Sequence, residues 1–393
     1  MQNFNLMKKI FILILLALVT FNTSAQEDNS TANQRVITTA VPFVLIAADA
    51  RAAGMGDIGV TTSADAFSQQ WNPAKYAFAI SKQGVGVTYT PYLSQLVNDI
   101  FLGNLTYYNR INERSAIGAS LRYFSLGDIE LRDTPEQVPL IQSPNEFTFD
   151  LSYSLRLSDR FAMGVAGRYL RSDLRIQAAN EDATAASSFA VDIAGYYQSE
   201  EIAYNDFDGR WRAGFNFSNI GPKIKYDEVG QENNLPTNMA LGAGFDFILD
   251  EYNKVGVSAQ VNKLLVPTPR DFDGDGDIDA EDDEQYEDIS FFSGIFESFG
   301  DAPDGFSEEL KEFTWALGAE YWYQDVFAFR TGYFNESDLK GSRKFLSLGA
   351  GFRYTAINID ISYLFSTSAV RSPLEGTLRF GLTFNFGDEY DEY

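Results

Sequence analysis

The chain has 393 residues, a formal net charge of −25, and neither histidine nor cysteine. Without histidine, Ser-His-Asp and Cys-His catalysis, His-ligated zinc and most general-base chemistry are excluded, so a non-enzymatic protein without a cofactor is expected. The acidic excess also excludes nucleic acid as a partner, because phosphate binding needs clustered Lys and Arg.

Ile10 to Val19 is apolar, follows Lys8 and Lys9, and precedes Thr23-Ser24-Ala25. A basic start, a short apolar stretch and small residues at its end predict a secretory signal peptide over residues 1–25, cut before Gln26. Export permits disulfides, but a fold held by strand pairing does not need them. Hydrophobic residues make up 45% of the chain. The mean hydropathy is nevertheless −0.19. No run of eighteen apolar residues occurs, so spanning helices are not expected.

Residues 26–80 read as a leader and plug. The stretch 26–34 is polar, and 36–80 lacks sustained alternation, which predicts short helices and turns. It carries Gly54, Gly56, Gly59 and the triplet Asn72, Pro73 and Ala74. One reading is a turn-rich cap that seals a lumen; the other is a plug that moves to gate a hydrophobic ligand or dock a partner.

From 81 to 393 the chain is two-faced. Phe147, Phe149, Leu151, Tyr153, Leu155 and Leu157 alternate with Thr148, Asp150, Ser152, Ser154 and Arg156. Successive strand side chains point to opposite faces, so one face is apolar and the other polar. Recurring behind an export signal, this pattern predicts an all-β fold. It would be a transmembrane antiparallel β-barrel of about 14 strands with a short N-terminal helical and turn plug, its apolar face against outer-membrane lipid. Strands are expected at 82–91, 100–110, 115–126, 146–157, 160–171, 187–198 and 210–219. Further strands follow at 237–249, 252–263, 312–323, 326–335, 343–354, 356–366 and 376–387. Segments of ~12 residues, rising about 3.3 Å each and tilted ~40°, cover the ~25 Å apolar band of such barrels.

Connection lengths sort by end, as bacterial barrels require. With the N-terminus inside, the outward links 127–145, 172–186, 220–236 and 264–311 are long. The inward links 111–114, 158–159, 250–251, 324–325 and 355 are short, with 199–209 the exception. The chain holds 33 Phe and 21 Tyr. Doublets such as Tyr107-Tyr108 and Tyr196-Tyr197 near strand ends read as an interfacial girdle, with a ligand-stacking site the alternative.

The long external loop 264–311 carries the sharpest motif. Between Asp271 and Glu312 there are 17 acidic residues against one basic, Lys311. Within it, Asp271, Asp273, Asp275, Asp277, Asp279 and Asp282 fall at positions one, three, five, seven, nine and twelve of an EF-hand-type loop, with Gly276 at six. Alternate oxygens can converge on a cation there, so a structural Ca2+ is expected; an unliganded acidic loop is the alternative. Asp282 stands where a longer Glu is usual. Residues 290–299, SFFSGIFESF, read either as an exposed aromatic contact surface or as a short helix over the barrel mouth. Gly242-Ala243-Gly244 and Gly349-Ala350-Gly351 lie inside strands without a following helix, so they are expected to relieve crowding or allow bending rather than bind phosphate. In the last strand, Arg379, Gly381, Phe384 and Phe386 are similar to the C-terminal signal that barrel-assembly machinery recognises.

Residues 49–74, DARAAGMGDIGVTTSADAFSQQWNPA, followed by about fourteen strands, resemble the PorV family of the Bacteroidetes type IX secretion system, within the FadL-like superfamily. Asn72, Pro73 and Ala74 match the Asn-Pro-Ala element near the plug of FadL-like proteins. The resemblance implies binding to the large SprA/Sov-type translocon, acceptance of secreted cargo through C-terminal sorting domains, and delivery to a surface attachment complex. The alternative that the wider superfamily implies is a transporter of hydrophobic small molecules across the outer membrane.

Overall fold

The computed structural model describes residues 36–390, apart from 95–96, 133, 135–136, 176–183, 228–230, 275–277, 279 and 369–371. The expected signal peptide and the polar leader lie outside the described residues.

Alternation becomes a ring. In chain order the wall strands are β1 (Ser81–Pro91), β2 (Ile100–Arg110), β3 (Ser115–Leu126), β4 (Asn145–Ser158), β5 (Phe161–Asp173), β6 (Ala186–Gln198) and β7 (Asp208–Ile220). The second half comprises β8 (Asn238–Ile248), β9 (Asn253–Leu264), β10 (Phe313–Tyr323), β11 (Phe327–Asn335), β12 (Lys344–Tyr354), β13 (Ile357–Ser366) and β14 (Leu378–Glu389). Among the described residues these fourteen pair antiparallel with their chain neighbours, and β14 returns to β1. Val85 faces Phe384 and Val87 faces Leu382 across that closing seam. Closure leaves no edge with unpaired amides, which a hydrocarbon environment would penalise heavily.

The faces sort as alternation requires. On β4, Phe149, Leu151 and Tyr153 are exposed, while Thr148, Asp150, Ser152 and Ser154 are buried in the lumen. Rows of outward rings run near both ends of the wall. Tyr89, Phe101 and Tyr123 meet in tilted contacts toward one end, and Trp211, Phe245, Phe247 and Phe207 in tilted and edge-to-face contacts toward the other. Each tyrosine doublet splits across the wall. Tyr107 faces out, but Tyr108 points in and stacks on Tyr76 of the N-terminal segment, 5.0 Å between ring centroids. Tyr196 likewise packs inward on Phe78.

Links 111–114, 159–160, 249–252, 324–326 and 355–356 are short and share one end. The long exception there, 199–207, is shortened by a two-residue strand, Ile202–Ala203, that pairs with the start of β7. At the other end, the described part of 265–312 includes helices α1 (Ala280–Asp288), α2 (Phe291–Glu297) and α3 (Phe306–Glu309). Strand limits agree with the sequence to within about two residues. The largest shift is β14, which starts and ends two residues later than expected.

Candidate functional site: the plugged lumen and the acidic loop

Residues 36–80 fill the lumen as short helical pieces, Pro42–Leu45, Ala50–Ala53, Ser68–Trp71 and Pro73–Phe78. Pieces this short do not hold themselves together, so their stability comes from what they touch. Asp49 caps the second piece by accepting from the Ala52 amide at 2.7 Å. That same piece projects Arg51 onto the wall. Its Nε and Nη2 donate to both oxygens of Glu320 on β10, at 3.0 and 2.7 Å, while Nη1 reaches Asp65 at 2.9 Å. Glu320 also accepts from Arg330, its register partner on β11, and Arg330 continues to Asp360 on β13 at 2.7 Å. Charged groups at this depth persist only when paired on the lumen side.

A second network stands across the lumen. Arg168 on β5 pairs with Asp150, its cross-strand partner on β4, with Asp192 on β6 at 2.9 Å, and with the Asn219 side chain. Arg122 extends toward the plug and donates to the Val44 carbonyl at 2.9 Å.

The triplet Asn72, Pro73 and Ala74 is a tie between plug and wall. Asn72 is fully buried. Its Oδ1 accepts from the Ala74 amide at 3.1 Å, starting the helical turn at which Pro73 is pre-set. Its Nδ2 donates to the Val60 carbonyl at 3.1 Å and to the Gly195 carbonyl on β6 at 3.0 Å. Ala74 lies against Gly164 of β5, where a Cβ would come within 2.7 Å of the Ala74 nitrogen. These contacts fit the sealing role better than a hinge. Sequence reasoning missed Lys75. It is fully buried, and its ammonium donates to the Gly59 carbonyl at 2.8 Å and the Thr62 hydroxyl at 2.9 Å.

Glycine matters most where plug backbone meets strand backbone. A Cβ at Gly332 of β11 would fall 1.9 Å from the Met55 carbonyl carbon, and Gly56 beside it has φ +78. Gly349 of β12 faces Gly54 in the same way, with a Cβ only 3.1 Å from its Cα.

Two cavities flank the plug. The one toward the long-loop end, about 140 Å³, is lined by Asn216, Asn238, Gln260, Asn262, Arg122 and Arg343 among others. The second, about 150 Å³ at the short-turn end, is lined by Arg51, Asp65, Arg330, Arg353 and Asp360 among others. Apolar side chains share both linings, Val44, Leu45, Leu264 and Phe334 in the first and Phe67, Ile80 and Trp322 in the second, but charged groups enter each.

The acidic loop arches from the long-loop end. α1 begins at Ala280, position ten of the calcium-type motif, so Asp282 sits in its first turn. Carboxylate oxygens of Asp271, Asp273 and Asp282 come within 4.8 Å of one another. Asp282 accepts from the Phe272 amide at 2.5 Å. Asp275, Asp277 and Asp279 lie outside the described residues. Tyr286 of α1 donates to the Pro267 carbonyl at 2.9 Å, and burial pushes its phenol up to about 12. Ser290 caps α2 by accepting from the Ser293 amide at 3.2 Å. Its Gly294 packs on Pro267. Both readings of residues 290–299 hold in part, because the segment is a short helix that still shows its aromatic side. Phe292 and Phe296 form an edge-to-face pair at 5.4 Å and are 61% and 65% exposed. Phe306, at 77%, is also open.

Where the loop rejoins the wall, sequence reasoning missed a second cluster. Lys263, the penultimate residue of β9, contacts Glu309 at 2.7 Å and Glu312 at 2.5 Å. Lys340 contacts Glu308 at 2.8 Å and Glu312 at 2.9 Å. Burial opposes ionisation of Glu312, but hydrogen bonds from Lys263, Thr268 and Lys340 bring it below its usual range. Burial holds Asp301 up at about 6, against the pull of the Thr268 amide. The only sequence clue was Lys263 itself, a charge at the end of an otherwise lightly charged strand.

A closed antiparallel ring with an oily outside, a charged and plugged lumen, short turns at one end and long loops at the other is an outer-membrane β-barrel. The family profile described as "Type IX secretion system protein PorV" matches residues 29–271. The chain belongs to the PorV family of the type IX secretion system. Among solved structures it is similar to a Pseudomonas aeruginosa FadL homologue, with 13% identity and a TM-score of 0.46 over 87% of this chain and 99% of that one. The Ralstonia pickettii toluene transporter TbuX gives 11% and 0.48, over 88% and 100% of the two chains. The CymD monoaromatic hydrocarbon channel gives 12% and 0.48, over 89% and 99%. No curated protein matches the chain.

Proposed function

We propose that this barrel is a non-catalytic cargo carrier of type IX secretion. Its wall docks against an SprA/Sov-type translocon, its loops hold secreted proteins that bear C-terminal sorting domains, and it hands them to a surface attachment complex. Beyond family membership, the observation that carries this reading is the arm at the long-loop end. There Phe292, Phe296 and Phe306 stand exposed on a strongly acidic loop, an arrangement suited to gripping protein. The plug supports it too, since a lumen crossed by ion pairs suits a scaffold more than a conduit. The absence of histidine and cysteine from the sequence supports a role without chemistry or cofactor.

The alternative is a transporter of hydrophobic small molecules, and the charged side chains that enter both mixed linings weigh against it. Deleting the gene separates the two. The carrier reading expects many surface proteins to be trapped in the periplasm while growth on hydrophobic carbon is unchanged; the reverse pattern would overturn it. For the loop, we propose a structural Ca2+ held by Asp271, Asp273, Asp275, Asp277, Asp279 and Asp282. The start of α1 at position ten and the convergence of Asp271, Asp273 and Asp282 support that assignment.

A further inference from the structure

Asp301, Glu308, Glu309 and Glu312 are all at least nine-tenths buried at the foot of the long loop. Two buried ammoniums face them, Lys263 and Lys340, both also at least nine-tenths buried. The pocket therefore carries two more negative charges than positive ones, a deficit of one divalent cation.

The hydrogen bonds locate the deficit. Glu312 is the best served, its oxygens taking Lys263 at 2.5 Å, Thr268 Oγ1 at 2.5 Å and Lys340 at 2.9 Å, which leaves one of its roughly four acceptor positions for a cation. Glu308 takes Lys340 at 2.8 Å and the Asp304 amide at 2.9 Å. Glu309 is different. One oxygen faces Lys263 at 2.7 Å, but Oε2 is buried without any hydrogen-bond partner. Asp301 repeats the pattern, with Oδ2 accepting from the Thr268 amide at 2.8 Å and Oδ1 buried and unpartnered. Oxygens of Asp301, Glu309 and Glu312 all lie within 4.8 Å of one another. Oxygens within that limit can meet one Ca2+, whose two bonds end to end span about 4.8 Å, whereas Mg2+ demands stricter octahedral geometry and sheds its water reluctantly. An isolated buried carboxylate oxygen is unfavourable unless a cation or proton meets it.

We propose that Asp301, Glu309 and Glu312 form a second Ca2+ site, separate from the motif at 271–282, that fastens the foot of the long loop to the barrel rim. The ligands come from the middle and the end of the loop, and the lysines beside them from β9 and from the link between β11 and β12. Filling the site therefore fixes the base from which the aromatic arm projects. The site's existence does not depend on the secretion role.

Calorimetric titration of the full-length barrel in detergent with CaCl2 in the millimolar range tests this, as suits an extracellular site. Retention of heat-modifiable migration in gels serves as the folding control. The Asp271→Asn/Asp273→Asn variant, which leaves the loop foot untouched, is expected to keep one Ca2+ equivalent. Adding Asp301→Asn and Glu309→Gln is expected to remove it, and Mg2+ in place of Ca2+ to bind about tenfold more weakly. No Ca2+ bound by the Asp271→Asn/Asp273→Asn variant would overturn the proposal, by leaving a proton as the neutralising partner. Retention of that equivalent in the fourfold variant would overturn it as well.

Discussion

Replacing Arg51 by methionine keeps the stem of the side chain and removes the plug's strongest hold on the wall. Glu320 would lose two hydrogen bonds, at 2.7 and 3.0 Å, and Asp65 one at 2.9 Å. Breaking a buried pair by removing one partner costs about 3–5 kcal/mol, because the other charge stays buried. Glu320 retains Arg330, so the lower end applies, about 3 kcal/mol, or roughly a hundredfold in an opening equilibrium. Hydrogen exchange read by mass spectrometry over residues 50–62 measures that opening directly. Exchange there should rise about a hundredfold while the wall strands stay protected. In Arg51→Met/Glu320→Met, with both charges gone, much of the protection should return, since the interaction is non-additive. Exchange in Arg51→Met within about threefold of the parent would refute the claim that this ion network holds the plug.

Asn72→Ala removes the turn cap and both bonds to backbone carbonyls, and should loosen residues 70–78 by about 2 kcal/mol in the same exchange assay. Gly332→Val places a side chain where the Met55 backbone already sits. The plug must then shift, and planar-bilayer recordings should show conductance absent in the parent. Tyr286 ionises at about 12 in place, against about 10 in open solution. Its contribution to α1 docking is therefore fully present below pH ~10 and fades as pH rises toward ~12. The ultraviolet titration difference between the parent and Tyr286→Phe should show one tyrosine ionising near pH 12; a midpoint near pH ~10 would mean α1 is not docked.

The wall was readable because lipid on one side and a polar lumen on the other impose a strict period of two, as at Phe149, Asp150 and Leu151. Short turns then fix register within a residue or two. The plug was readable only as a place where that period stops. Nothing local to Arg51 names Glu320, 269 positions away, because closing the ring is what brings them together. Asn72 could be recognised by its triplet but not by its work, which is to join a cap to two distant carbonyls. Of the strand glycines read as relieving crowding or allowing a bend, Gly349 does meet plug backbone, at Gly54, but neither that approach nor the one at Gly332 is visible in its own segment. The loop shows the opposite failure. Regular spacing made Asp271, Asp273 and Asp282 conspicuous. Asp301, Glu309 and Glu312 looked like ordinary solvated acids until folding buried them beside Lys263 and Lys340.

Affinity purification of the tagged barrel from native outer membranes, with mass spectrometry of what accompanies it, bears most directly on the carrier role. The account expects a translocon far larger than this chain, together with secreted proteins, and expects the cargo to be lost when Phe292, Phe296 and Phe306 are all changed to serine. Recovery of the barrel with lipid or small hydrophobic compounds and no protein partner would contradict it.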